Sequence, residues 1–200
     1  MQKLYQKIKI DNFEKIQEEL LNLVPEDKQN LQGHFESWIV DIPWILSNCP
    51  TLDKFLKERA LKPVDQIKFY SSGPDHGTGY HIDGTIKRQP FGLTLPLKNT
   101  SNSFLNWYQE DSENFIVRDL IAHPIDGFEC VMPKVLSVKD ISKLKLLDSL
   151  EVDSPTFTKS DVMHNVTNSS GNTRIVCVIR WSLFYKNISD VLDTSGIEIE

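Results

Sequence analysis

The apolar positions change their period along the chain. Across residues 12–24, NFEKIQEELLNLV, Phe13, Ile16, Leu20 and Leu23 recur at three- and four-residue spacing, which predicts an amphipathic helix stopped by Pro25. Residues 51–61, TLDKFLKERAL, predict a second helix, with Thr51 as N-cap and Pro63 beyond its end. Trp38 and Trp44 lie between the two among apolar pairs and are expected to pack against a sheet. From residue 66 the period shortens. Brief apolar runs bounded by Gly, Pro, Asn and Ser predict strands at 67–72, 79–85, 91–98, 103–109, 128–134, 155–160, 162–168 and 173–184. A run with helical spacing, VKDISKLKLLDSL at 138–150, interrupts them. Helices first and short strands after predict a mainly β fold with flanking N-terminal helices, a jelly roll of the cupin type. The expected organisation is one domain over 1–200: mostly helical support at 1–65, a β core at 66–185 and a C-terminal tail at 186–200.

Composition narrows the partners. With 200 residues and 40% hydrophobic content the chain can bury one sizeable core. Its 28 acidic residues exceed its 22 basic ones, and a formal charge of -6 makes a nucleic-acid backbone an unlikely main partner, because phosphate binding needs a basic face. The three cysteines, Cys49, Cys130 and Cys177, are odd in number and widely spaced, which fits neither a disulfide framework nor a CxxC zinc site; reduced thiols of a cytoplasmic protein are the simpler expectation. The first residues, MQKLYQKIKIDNFEKIQEEL, are too charged for a signal peptide, and no apolar run approaches membrane length. No membrane partner is therefore expected, and the oligomeric state is open.

Candidate chemistry lies in the β region. His81 and Asp83 stand two apart in Gly79-Tyr80-His81-Ile82-Asp83-Gly84, so on a strand they share a face and can address one ion. His164 would complete a two-histidine, one-carboxylate set, the ligand type of non-heme Fe(II) oxygenases. The bland alternative is a salt-bridged His/Asp pair on the surface. Ten residues beyond His164, past the turn VTNSSGNT, comes Arg174 on the second strand of a hairpin. Arg174, Val176, Val178 and Arg180 share one face of that strand; Ile175, Cys177 and Ile179 share the other. Either the arginine face is the solvent side or the arginines are buried and must find an anion. His34 with Glu36 repeats the HxD spacing before the β region and reads as structural. His123, before Pro124, reads as a surface residue, and His76 is a further candidate for the cavity of His81.

These residues resemble the Fe(II)/2-oxoglutarate-dependent oxygenase superfamily, built on a double-stranded β-helix. The family carries HxD on an early core strand, a distal His, and an Arg or Lys about ten residues later. His81, Asp83, His164 and Arg174 match in order and spacing. Phe157, His164, Val166, Asn168 and Arg174 are similar to the C-terminal motif of prolyl hydroxylases and aspartyl/asparaginyl β-hydroxylases. The segment FGLTLPLKNTSNSFLNWY resembles the middle strands of uncharacterised phage or marine microbial members. The resemblance covers residues 66–185; the N-terminal helices match only in general placement. Aspartyl β-hydroxylases generally lack the carboxylate ligand, so Asp83 moves the chain toward the three-ligand majority.

The resemblance implies Fe(II) on His81, Asp83 and His164, with 2-oxoglutarate and O2 at the remaining positions and succinate and CO2 as products. It implies Arg174 at the distal carboxylate of 2-oxoglutarate. Tyr70 and Thr94, on the strands before and after HxD, are candidates for hydroxyl contacts to that carboxylate, and Arg180 for the 1-carboxylate or an anionic substrate. The substrate class is open between a small molecule and a protein side chain. Two rival readings are a zinc hydrolase on the same three ligands and a non-catalytic cupin-like binding module.

Overall fold

The computed structural model describes residues 3–83, 90–109, 111, 113–118, 134–182 and 185–200. The elements in chain order are β1 (Tyr5–Lys7), α1 (Phe13–Leu21), α2 (Glu26–Gln29), β2 (Phe35–Ile39), α3 (Ile42–Asn48), α4 (Pro50–Glu58), β3 (Val64–Ser72), β4 (His81–Ile82), β5 (Phe91–Lys98) and β6 (Ser103–Tyr108). They continue with β7 (Phe115–Arg118), β8 (Lys134–Val138), a 3-10 turn (Ile141–Lys143), β9 (Leu146–Glu151), β10 (Thr156–Lys159), β11 (His164–Asn168), β12 (Arg174–Trp181) and α5 (Ile188–Ser195).

The strands form two antiparallel six-stranded sheets. The major sheet runs β1-β10-β5-β12-β3-β2 and the minor sheet β7-β8-β4-β11-β6-β9. From β3 to β6 and again from β10 to β12 successive strands alternate between the sheets, as a jelly roll requires. The fold is therefore mainly β, as the strand pattern predicts. Among the described residues no helix is long and apolar enough to cross a membrane.

The central strands of the major sheet, β5 and β12, are buried on both faces, and the side-chain period of two divides them between two tasks. On β5, Phe91, Leu93, Leu95 and Leu97 face the helices; on β12, Ile175, Cys177, Ile179 and Trp181 do the same; on β3, Ile67 and Phe69. Against them pack Ile16 and Leu20 of α1, Ile45 of α3, Leu52, Phe55 and Leu56 of α4, and Ile188 and Val191 of α5. Gln17 fastens α1 to β5 by donating from Nε2 to the carbonyls of Pro96 (3.1 Å) and Leu97 (3.0 Å). The opposite face, with Gly92 and Thr94 on β5 and Arg174, Val176, Val178 and Arg180 on β12, lines a cavity between the sheets.

Several elements depart from the sequence expectation. Residues 138–150 are not a helix: Val138 ends β8, Ile141 sits in the 3-10 turn, and Leu146–Glu151 form β9. The three-residue apolar spacing there is real, but the exposed edge of β6 offers unpaired backbone groups, and β9 satisfies them in register from Phe104↔Glu151 to Tyr108↔Leu146. Only Leu150 is buried, while Ile141 is 70% exposed. The second helix begins at Pro50, with Cys49 rather than Thr51 as N-cap. Proline suits the first helical position because its missing N–H has no partner to lose there. Thr51 instead donates from its backbone N and its Oγ1 to Glu19 of α1. Residues 1–65 supply two strands as well as helices, and residues 186–200 contain α5, closed by a capping box between Asn187 and Asp190. Of the expected strand at 79–85, residues 79–83 are described, and among them His81 and Ile82 form the strand. Of the expected strand at 128–134 only Lys134 lies among the described residues; Cys130 and His123 lie outside them.

Phe157 is fully buried where it meets Phe91 (6.1 Å) and Trp181 (5.8 Å) edge-on. Phe157→Ala should cost about 3–5 kcal/mol of unfolding free energy in a urea titration. Ile141→Ala, at an exposed site, should stay within about 0.5 kcal/mol.

Candidate metal centre and its cavity

The register of the minor sheet brings the two histidines together. On β11, His164 lies directly opposite His81 of β4 on one side and Trp107 of β6 on the other. Cross-strand partners project to the same face with Cβ atoms about 5 Å apart. The imidazoles accordingly meet with ring centroids 4.2 Å apart. Each is oriented by its own chain: Nδ1 of His81 is 2.7 Å from the Gly79 carbonyl, and Nδ1 of His164 is 2.7 Å from the Val162 carbonyl. A carbonyl can only accept, so Nδ1 carries a proton in both rings, and in the neutral form of each ring the lone pair is on Nε2. Such fixing of the tautomer by the far nitrogen is what metal-ligating histidines use.

Asp83 follows the last residue of β4. Its backbone N–H donates to the Ser160 carbonyl (2.8 Å), its Oδ1 is 3.7 Å from His81 Nε2, and its Oδ2 is 3.0 Å from Arg180 Nη2. One ligand atom from each of His81, Asp83 and His164 lies within 4.8 Å of the others. Two neutral imidazoles and a carboxylate suit Fe(II) and other first-row divalent ions.

Charges around the set favour this state. Burial, with the His81 ring next to it, pushes His164 down to about 4, so the ring stays neutral at physiological pH. Burial acts to raise the Asp83 carboxyl, but Arg180 and the two histidines outweigh it and the net direction is downward. Burial likewise acts to lower Arg180, and Asp83, with the Tyr70 hydroxyl, turns the net direction upward. Arg174 differs. It is 3% exposed, burial alone lowers it to about 10, and no carboxylate among the described residues offsets the loss of water.

All seven residues singled out in the sequence, His81, Asp83, His164, Arg174, Arg180, Tyr70 and Thr94, line one cavity of about 610 Å³ including its open mouth. Thr94 Oγ1 is 2.8 Å from Thr158 Oγ1 across the β5–β10 pair. Arg180 is already committed to Asp83 and to Gln66 (Nη1 to Oε1, 3.3 Å). His76 is exposed and is not a lining residue. His34 bonds Glu36 (2.8 Å) away from the cavity.

Sequence reading missed Thr78, Thr158, Lys159 and Ser160 among the lining residues. The alternation Thr156-Phe157-Thr158 did carry a signal, since phenylalanine enters the helix-side core and a threonine lines the cavity. Thr78 carried none: it sits in a loop and matters through its contact with β11. Lys159 is buried and pairs with Asp161 (3.0 Å).

Among the described residues four buried side-chain polar atoms lack a hydrogen-bond partner: Ser160 Oγ, Arg174 Nε, Arg180 Nε and Trp181 Nε1. The first three belong to cavity-lining residues. A buried orphan donor costs about 1–3 kcal/mol, so their concentration here marks a place for a polar ligand.

No protein-family model and no curated protein matches the chain. Among solved structures, it is similar to the viral collagen prolyl hydroxylase vCPH of Paramecium Bursaria Chlorella virus-1, described as a 2OG complex: 13% identity over 90% of this chain and 96% of that one, with a TM-score of 0.46. A Pseudomonas putida prolyl-4-hydroxylase gives 11% identity, 89% and 92% coverage and a TM-score of 0.42. A cupin domain from Bordetella pertussis gives 14% identity, 75% and 95% coverage and a TM-score of 0.31.

A histidine that refuses a proton when folded makes stability depend on pH. Between about 6.5 and about 4 the unfolded chain binds a proton that folded His164 does not, so stability falls as pH falls through this window and is fully regained above it. In metal-free protein the loss should reach about 3 kcal/mol near pH 4, read from urea midpoints. His164→Gln should flatten that part of the profile.

Proposed function

We propose that the protein is an Fe(II)- and 2-oxoglutarate-dependent oxygenase that hydroxylates a small molecule or a protein side chain. One observation carries the reading: the His81, Asp83 and His164 ligand atoms and the buried, anion-less Arg174 line the same cavity. A metal site alone fits zinc chemistry equally well, but zinc activation of water gives Arg174 no task. A dicarboxylic cosubstrate gives it one.

In this reading the Nε2 atoms of His81 and His164 and Oδ1 of Asp83 hold the iron. The bound iron supplies the activation of O2 that couples loss of CO2 from 2-oxoglutarate to insertion of oxygen into a C–H bond. The chain's own residues bind and orient. Arg174 offers a planar fork to the distal carboxylate, a charge-assisted contact of about 1.5–3 kcal/mol. Thr94 and Thr158, joined by their hydroxyls on the neighbouring strands, are candidates to share that carboxylate. Val176, Val178, Val166 and Leu105 give the cavity dry walls, which strengthen each polar contact inside. The Gly79 and Val162 carbonyls hold a proton on Nδ1 of each histidine, so that in the neutral ring Nε2 is the nitrogen that offers its lone pair to a metal.

The test is succinate release by the purified protein with Fe(II), 2-oxoglutarate and O2, alone and with candidate substrates, with mass spectrometry for one added oxygen. Failure to consume 2-oxoglutarate with Fe(II) bound would leave a binding module. Arg174→Ala should weaken 2-oxoglutarate binding by about 10- to 100-fold, the loss of one charged contact, while divalent-metal affinity stays within about twofold. Arg174→Lys should recover part of it, because the charge returns without the fork. Equal cosubstrate affinity in wild type and Arg174→Ala would remove Arg174 from this role. His81→Ala and Asp83→Ala should each abolish turnover.

A further inference from the structure

Asp83 is the least anchored of the three candidate ligands. The two histidines lie in the β4–β11 ladder and are braced at Nδ1. Asp83 lies past the end of β4, and among the described residues its backbone N–H is tied to the Ser160 carbonyl rather than to a ladder partner. A carboxylate in that position can turn either oxygen toward the histidines, or both.

Arg180 removes the choice. Its Nη2 takes Oδ2 at 3.0 Å, and Oδ1 is the oxygen that faces His81 Nε2 at 3.7 Å. Arg180 is itself held. Gln66, its cross-strand partner on β3, accepts from Nη1 at 3.3 Å, and the Tyr70 hydroxyl stands against it. The stem crosses β5 at Gly92: a Cβ there would lie 2.9 Å from Val178 Cγ1 and 3.5 Å from Arg180 Cγ. The register of β12 against β3 shifts between Arg180 and Trp181, the kind of irregularity that re-aims a side chain beside a functional site.

We propose that Arg180 is a positioning residue that clamps Oδ2 of Asp83, so that Asp83 meets the metal through Oδ1 alone. The inference rests on the oxygenase reading only in taking Asp83 as a metal ligand. It gives Arg180 a different task from Arg174: Arg180 shapes the metal site, Arg174 receives the cosubstrate.

Co(II) is the probe, titrated into metal-free full-length protein without 2-oxoglutarate, and read by affinity and by the visible absorption spectrum. Arg180→Gln should weaken Co(II) binding by about 10- to 100-fold, the usual effect of losing a partner that orients a ligand, and should change the spectrum as the carboxylate is freed. Arg180→Lys restores charge without the fork, and should fall between wild type and Arg180→Gln in affinity. With Co(II) saturating, 2-oxoglutarate affinity should fall much less in Arg180→Gln than in Arg174→Ala. Wild-type Co(II) affinity with a wild-type spectrum, in whichever of the two Arg180 variants folds, overturns the proposal. So does unchanged Co(II) affinity with a 2-oxoglutarate loss as large as that of Arg174→Ala, which makes Arg180 a cosubstrate ligand. A wild-type protein that binds no Co(II) overturns the metal-ligand reading itself, a result distinct from either.

Discussion

The pairing of His164 opposite His81 is the constraint on which the candidate site depends. A slip of one residue on β11 would turn His164 to the outer face and bring Met163 or Asn165 inside, because the side-chain period of a strand is two. β4 is too short to hold that register alone. It is held instead by β6, paired with β11 from His164↔Trp107 to Asn168↔Ser103. It is held again by Thr78, whose backbone N donates to the Val166 carbonyl (3.0 Å) while its Oγ1 accepts from Val166 N (2.8 Å). Gly77 makes this approach possible, since a Cβ there would collide with the Val166 carbonyl at 1.8 Å. Asn168 closes the far end by donating from Nδ2 to the carbonyls of Ser72, Gly73 and Asn172. The geometry of the candidate ligand atoms is thus fixed by hydrogen bonds of the backbone, Thr78 and Asn168 that lie away from those atoms.

The two arginines of β12 show how the same residue on one strand face can stand in opposite electrostatic situations. Arg180 is buried with its counter-charge at 3.0 Å, so its desolvation is largely offset within the protein. Arg174 is as deeply buried, and no carboxylate among the described residues offsets its loss of water. A protein seldom keeps an uncompensated guanidinium in its interior unless an anion completes it.

Much of this was legible in the sequence because burial on both faces leaves a strong pattern. In β5 and β12 the apolar alternation identified the strands, and the arginines at positions 174 and 180 marked the second face. What remained open was whether that face met solvent or a cavity, since alternation alone does not say what lies opposite. The minor sheet supplied the answer. The HxD spacing and the distal histidine could be picked out, but not the commitment of Arg180 to Asp83, because residues 97 apart in sequence meet only through the packing of two sheets. Edge strands were the least legible. β1, β2 and β9 bury one side at most, so their apolar period is weak, and from the 3-10 turn into β9 the spacing of Ile141, Leu144, Leu147 and Leu150 imitates a helix.

The two-sided burial of β12 has a consequence for how the protein can change. Ile175, Cys177 and Ile179 belong to the helix-side core, while Val176 and Val178 line the cavity between the two arginines. Substitutions at odd positions are felt by the folding equilibrium, and those at even positions by whatever enters the cavity. Ancestral or laboratory variation at 176 and 178 can therefore re-bore the pocket for a differently shaped guest while the scaffold, written on the alternate residues, stays as it was.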